Sequence, residues 1–247
     1  MKPKPKIKAK RTASAAPSLG PVQKKILLVD DHPMLRAGLA ALINKQFDLA
    51  VCGEADDAAK ALQSIPGSRP DLVVTDLTMP GRGGLEFIKD LQVMHPGLPV
   101  LVVSMHDEML YAERALRAGA RGYVMKEAGG EKLLVAIRQV LNGQVYVSEK
   151  MTAQLFEAMT TRRPRGSSSP IEALTDREFQ VFQLIGSGKN TRGIATQLCL
   201  SSKTVDVHRA NIKAKLGITD ATALVSHAVR WVETQGSSDK EAGPIKG

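Results

Sequence analysis

Between Ile26 and Asn142, five short apolar runs each lead into a stretch of helical periodicity. The runs are ILLV (26–29), LAVCGEA (49–55), DLVVT (71–75), PVLVVS (99–104) and GYVM (122–125). The helical patterns follow at about 33–46, 57–64, 84–94, 108–118 and 130–142. The runs are rich in β-branched residues and lack polar alternation, as strands buried on both faces do. Strand then helix, five times over, predicts an α/β unit: a doubly wound, parallel (βα)5 sheet covered by helices on both sides.

Open sheets of this kind bind ligands beyond the carboxyl ends of their strands. Those ends are polar here. The first strand runs into Asp30 and Asp31, the third into Asp76, the fourth ends in Ser104, and the fifth is followed by Lys126. Adjacent carboxylates repel, and burying an unpaired one costs several kcal/mol. Something positive is therefore expected between them. Three carboxylates suit Mg²⁺, a hard ion that takes oxygen ligands and retains water. A carboxylate beside such an ion can attack a phosphoryl group and form an acyl phosphate. A hydroxyl and an ammonium nearby can hold the new phosphoryl oxygens. Taken singly, Asp30 or Asp31 reads as a helix cap, Ser104 as a loop polar residue and Lys126 as a solvated cation. Their joint placement at strand ends favours a shared site.

Charge divides the chain. The 247 residues carry a net +9, with the excess at the two ends and an acidic stretch over 26–150. Two domains with different partners are expected, and a basic C-terminal part is compatible with nucleic acid. The Lys-, Pro-, Ala- and Ser-rich start has too few large apolar residues to offset the entropy of ordering and reads as a disordered basic tail. It is either a mere tail or a source of non-specific attraction to DNA. No apolar run approaches a membrane span, and no secretory signal is present, so a cytoplasmic protein without membrane contact is expected. Cys52 and Cys199 read as small buried hydrophobes rather than metal ligands or a disulfide.

After VYVSEKMTAQLFEAMT (145–160), a short strand-like step and a helix capped by Ser148, the loop TRRPRGSSSP (161–170) marks a boundary. Beyond it the periodicity is helical only. Thr175 and Glu178 form a capping box for a helix that Gly186 and Gly188 end. Asn190 or Thr191 can cap a second helix, and Ser202 a third that Gly217 stops. A last helix spans about 220–231. Two short helices joined by a tight turn, the second bearing Lys203, His208, Arg209, Lys213 and Lys215, fit a helix-turn-helix. On charge and helices alone, a small bundle whose basic residues are only a solvated face is the better reading.

The motifs are more specific. VDDH (29–32), the D-x-x-M-P-x-x-x-G pattern at Asp76, Met79, Pro80 and Gly84, the VVS strand end and AGARGYVMK occur in order. Over 25–142 the chain resembles the receiver domain of bacterial two-component response regulators. The resemblance implies that Asp76 accepts phosphate from a sensor histidine kinase. It implies Mg²⁺ held by Asp31, Asp76 and the backbone carbonyl of Thr78, with Asp30 acting through a metal-bound water. Ser104 and Lys126 would hold the phosphoryl group, and Tyr123 would be the aromatic that turns inward when Ser104 moves. Taken by itself, Tyr123 reads as a half-buried strand residue. Thr78 and His106 resemble the positions that tune autodephosphorylation, and a lone loop histidine otherwise reads as solvated.

Leu174–Glu178, Ile194–Ala195 and Ser201–Gly217 match the L-T-x-R-E, I-A and S-x-K-T-V-x-x-H-R-x-N-I-x-x-K-L-G patterns of the LuxR-type helix-turn-helix. The resemblance implies that 202–216 is the recognition helix in the major groove. Lys203, Thr204, Asp206, Val207, His208, Arg209 and Lys213 are then the candidates for double-stranded DNA contact. Phe179, Gly193 and Asp206 depart from the family's usual choices. Gly193 would lower helix propensity by about 1 kcal/mol relative to Ala.

The whole resembles the NarL/FixJ class. It implies a tail over 1–24, a receiver over 25–144, a linker with a short helix over 145–170, a helix-turn-helix domain over 171–234 and a flexible tail over 235–247. The implied function is phosphorylation-dependent transcription control, with a homodimer formed on phosphorylation and no separate enzyme activity. Ala223, Leu224, Ala228 and Trp231 in the last helix fit either a dimer face or intramolecular core. The rival reading is a phosphate sink or protein-contact adaptor that binds DNA weakly.

Overall fold

A computed structural model describes residues 23–79, 83–160 and 170–237. Residues 1–22, 80–82, 161–169 and 238–247 lie outside the described residues, and with them the expected N-terminal tail, Pro80 of the motif, the expected boundary loop and the expected C-terminal tail.

Five strands form one sheet: β1 (Lys24–Val29), β2 (Leu49–Ala55), β3 (Leu72–Thr75), β4 (Val100–Ser104) and β5 (Gly122–Met125). Their order is β2-β1-β3-β4-β5, and every pairing is parallel. The chain reverses its direction of winding between β1 and β3, and this switch point opens a crevice at the carboxyl edge. Asp30 follows β1 and Asp76 follows β3, so topology alone brings the two carboxylates to one crevice.

The strands show period-two burial into two different cores. Ile26, Leu28, Leu72, Val74, Leu101 and Val103 pack beneath α1 (Pro33–Asn44) and α5 (Gly130–Leu141). Leu27, Val29, Val73, Val100 and Val102 face α2 (Ala58–Ser68), α3 (Gly84–Met94) and α4 (Glu108–Ala118). Local chemistry sets the helix ends. Pro33 opens α1, where its missing N–H costs nothing. Asp57 and Asp107 cap α2 and α4 by accepting from the backbone N–H groups of Lys60 and Met109. Gly119 closes α4 in the left-handed region at φ 113°. α2 continues past the expected end at 64 because Pro66 falls in its last turn, where one lost hydrogen bond is tolerated.

Tyr146 bridges to Gly122, and α6 (Glu149–Thr160) follows, with Ser148 Oγ accepting from Met151 N at 3.1 Å. The C-terminal part is helical: α7 (Asp176–Gly186), α8 (Thr191–Gln197), α9 (Ser202–Leu216) and α10 (Ala221–Ser237). The capping box of Thr175 and Glu178 is formed in both directions. Asn190 caps α8 by accepting from Gly193 N at 2.8 Å, which ties down the first turn that this glycine would otherwise loosen.

Several expectations are corrected. The cap of α9 is Ser201, whose Oγ accepts from Thr204 N at 3.0 Å, and Ser202 is the first helical residue. Helix α10 runs well past Trp231, because Trp231 and Val232 continue its contact with α7. The cysteines are not buried: Cys52 lies half-buried on the outer strand β2, and Cys199 is exposed in the turn before α9 at φ 52°. Leu224 and Ala228 are core residues of the C-terminal part, whereas Ala223 is exposed.

Candidate functional site

The carboxyl edge of the sheet gathers the predicted side chains. Asp30, Asp76 and Ser104 are almost fully buried, at 4%, 3% and 0% exposure. Lys126 reaches in from the end of β5, and its Nζ lies 2.8 Å from Asp30 Oδ2 and 2.7 Å from Asp76 Oδ2. Burial works against its charge, but the two ion pairs outweigh burial and raise its pKa above the ordinary lysine value. The other Asp76 oxygen accepts from the backbone N–H of Leu77 at 2.6 Å, which fixes the carboxylate plane.

Asp30, Asp31, His32 and Asp76 each place a ligand-type atom within 4.8 Å of the others. One buried oxygen of Asp31 makes no hydrogen bond, and the His32 Nδ1 lies 2.7 Å from it. Three carboxylates against the single ammonium of Lys126 leave excess negative charge. That excess and the oxygen-rich donor set fit a hard divalent cation. His32 was not singled out from sequence, although the run DDH places it one residue from the pair.

Around this cluster, His106 is held on several sides. Its Nε2 lies 2.8 Å from Thr78 Oγ1, its N–H donates to Ser104 Oγ at 3.3 Å, and its carbonyl accepts from Tyr123 Oη at 2.8 Å. It is therefore not a solvated loop histidine. Burial, helped by the charge of Lys126 and opposed by that of Asp76, lowers its pKa below the ordinary histidine value. Tyr123 is wholly buried rather than half-buried, and burial raises its phenol pKa.

The candidate DNA-contact residues share α9. Lys203, Asp206 and Val207 are exposed, and Thr204, His208, Arg209 and Lys213 are half-buried. Val205 and Ile212 anchor the helix from its opposite face with 0% exposure. Lys215 points elsewhere: its Nζ pairs with Glu178 Oε2 at 2.7 Å. His208 is partly covered, and burial and the Arg177 charge both lower its pKa. Among the charges acting on it is Glu86 of α3.

That last interaction reflects contact between the two parts of the chain. Arg114 of α4 donates to the carbonyls of Leu174 and Ile171, each at 3.1 Å, and to Asp176 Oδ1 at 3.2 Å. Its guanidinium also lies over the Phe179 ring, 4.0 Å from the centroid. Lys89 pairs with Asp176 at 2.7 Å, and Tyr111 donates to Gln183. Phe179 is 2% exposed, covered by Arg114 and Tyr111 of α4 and by Trp231 of α10. Its departure from the usual polar residue is the one sequence signal of this contact.

Comparison with known proteins agrees with these two parts. Residues 26–138 match the response regulator receiver domain, and residues 172–228 match the bacterial regulatory proteins of the luxR family. The response regulator GacA of Pseudomonas aeruginosa is 38% identical over 206 residues, covering 83% of this chain and 95% of GacA. The oxygen regulatory protein NreC of Staphylococcus aureus is 35% identical over 210 residues, covering 83% of this chain and 97% of NreC. A LuxR-family two-component response regulator from Aurantimonas superposes over 56% of this chain and 98% of its own, with a TM-score of 0.52 and 36% identity. The RcsB response regulator of Salmonella typhimurium shares the fold over 85% of this chain and 98% of its own, with a TM-score of 0.60 at 23% identity. Among the described residues, no helix is long and apolar enough to cross a membrane. A receiver-type crevice, a LuxR-type helix-turn-helix and full-length relatives of both together place the chain in the NarL/FixJ class of two-component response regulators, which regulate transcription.

Proposed function

We propose that Asp76 is the phosphoacceptor, taking a phosphoryl group from a phosphohistidine of a sensor kinase in the cytoplasm. The observation that carries this reading is the buried bridge from Lys126 to both Asp30 and Asp76. In the transfer, an Asp76 carboxylate oxygen forms a bond to phosphorus as the phosphorus–nitrogen bond breaks. The electron pair returns to the imidazole, and the product is an acyl phosphate. Asp31, Asp76 and the Thr78 carbonyl would hold Mg²⁺, with Asp30 contributing through water. Bound there, the ion would offset charge on the phosphoryl oxygens. Lys126 is placed to leave its bridge and pair with one of those oxygens, and Ser104 to donate to another.

The new group adds about −1.5 to −2 charges, which shifts the balance between two states of the chain. The output is DNA binding by α9. Lys203, His208, Arg209 and Lys213 would meet mostly phosphates, Asp206 and Val207 would lie nearer the bases, and Thr204 would sit beside them at the start of the helix. The active form is a homodimer on related half-sites. Ala223 and Val225 are on the exposed side of α10, where a second copy can pack. The domain limits follow the sequence reading: 25–144 for the receiver, 145–170 for the linker, and 171–234 for the DNA-binding domain.

The test is intact mass after incubation with Mg²⁺ and a small acyl-phosphate donor, beside Asp76→Asn, with DNA affinity read on the same samples. A single adduct of about 80 Da, one phosphoryl group, should appear in the wild type and vanish in the variant, and DNA affinity should rise with it. An adduct that survives Asp76→Asn would place the phosphoacceptor elsewhere.

A further inference from the structure

The docked C-terminal part and the reaction site share a side chain. His106 has its backbone clamped by Ser104 at its N–H and by Tyr123 at its carbonyl. One edge of its ring is bonded to Thr78. Its face stacks on Tyr111, with centroids 4.5 Å apart and 26° between planes. Tyr111 is 1% exposed, bonds Gln183 of α7, and meets the Phe179 ring edge-on at 5.4 Å. Phe179 in turn meets Trp231 of α10 at 5.4 Å. Two side chains, His106 and Tyr111, thus span the distance from Ser104 to the C-terminal domain.

The geometry points to His106 as the joint through which phosphorylation of Asp76 releases the C-terminal domain from α4. This rests on the proposed phosphorylation of Asp76. A Ser104 hydroxyl drawn to the phosphoryl group gives up its already long contact to the His106 N–H. The His106 backbone then follows Tyr123 alone, and its ring shifts on Tyr111. Because packed aromatics have few alternative arrangements, a small shift unseats Tyr111 from Phe179 and Gln183. His106 acts as a positioning residue here. Lys89 and Asp176 hold the same contact from the surface but do not touch the reaction site, so they bear on how tightly the domain docks and not on its response.

Trp231 is the chain's single tryptophan, and it lines the cavity of about 290 Å³ between the two parts, together with Thr78, His106, Tyr111 and Gln183. Its acrylamide quenching therefore reports docking. The experiment uses the full chain with Mg²⁺ and an acyl-phosphate donor, and reads quenching, DNA affinity and intact mass together. Samples are compared at matched phosphorylated fraction. In the wild type the quenching slope should rise about twofold and DNA affinity roughly fivefold or more, the usual range of coupling between sites. His106→Ala should show the same quenching and affinity with and without the phosphoryl group. His106→Phe keeps a ring on Tyr111 and should restore at least half of the response. If His106→Ala fails to fold or to accept phosphate, Tyr111→Ala decides by the same readouts, since it cuts the far end of the stack.

A wild-type response in phosphorylated His106→Ala overturns the inference while leaving the phospho-switch intact. So does a wild-type adduct with unchanged Trp231 quenching. No adduct in the wild type overturns the phosphorylation reading, and the joint falls with it.

Discussion

Lys126 Nζ lies 2.7 Å from Asp76 Oδ2 with only 6% and 3% of the two side chains exposed, and the same ammonium lies 2.8 Å from Asp30. One cation thus holds two buried carboxylates together across the switch point of the sheet. Removing one member of a buried pair leaves uncompensated charge, which costs roughly 3–5 kcal/mol. Lys126→Met should therefore lower the unfolding free energy by about that amount in the presence of a chelator. A cation bound only to the folded state restores stability by mass action, so excess Mg²⁺ should raise the melting temperature of the variant more than that of the wild type. Equal Mg²⁺ responses would contradict the charge-balance view of the cluster.

Arg114 is the most connected cation of the interdomain contact, with two carbonyls, one carboxylate and one ring. A cation over a shielded ring and charge-assisted hydrogen bonds together account for about 1–3 kcal/mol. Arg114→Ala should therefore populate the undocked state without phosphate. The expected result is DNA affinity roughly tenfold higher than that of the unphosphorylated wild type. A steeper acrylamide quenching of Trp231, which lines the cavity between the two parts, should accompany it. Unchanged affinity would mean that docking does not restrain α9.

Gly84 begins α3, and a Cβ placed on it would fall 2.3 Å from the Asp76 carbonyl oxygen and 2.6 Å from the Leu77 Cα. These are backbone atoms at the end of β3, and they cannot step aside without moving Asp76. Gly84→Ala should cost about 1–3 kcal/mol, the usual range for overpacking, and slow phosphorylation beyond what its stability loss explains. Urea unfolding and the rate of adduct formation measure the two effects separately. Normal phosphorylation by Gly84→Ala would show that the β3 end is free to relax.

Much of the fold was legible because its signals are local. The runs at 49–55 and 122–125 and the helical patterns at 84–94 and 108–118 coincide with β2, β5, α3 and α4. The span read as the recognition helix, 202–216, is α9. Strand-end placement also brought Asp30, Asp76, Ser104 and Lys126 together, since parallel topology leaves them one edge to occupy. The docking was not legible. Periodicity shows which face of α4 is apolar, but Tyr111 and Arg114 take their roles from α7, a surface more than sixty residues away in sequence. Cys199 was misread because its left-handed turn position outweighs its apolar character.

Glu178 offers a test of the C-terminal domain by itself. Its carboxylate completes the capping box by accepting from Thr175 N at 2.8 Å, and the same oxygen pairs with Lys215 at 2.7 Å. Burial alone would raise its pKa, but the Lys215 contact and the Thr175 hydrogen bonds prevail, and the pKa lies below the ordinary glutamate value. A carboxyl depressed in the folded state adds stability that is present above the unfolded pKa of about 4.3 and lost as pH falls through the lower folded value. Glu178→Gln keeps an acceptor for the cap but loses the charge, so it should cost about 0.5–1 kcal/mol at neutral pH. The difference between wild type and variant should be constant above about pH 5, shrink as pH falls below the unfolded value, and vanish below the depressed one. Chemical unfolding across that range measures it, and taking the difference cancels the other carboxylates. A gap independent of pH would show that Glu178 acts through shape and hydrogen bonding alone, with no contribution from its charge on Lys215.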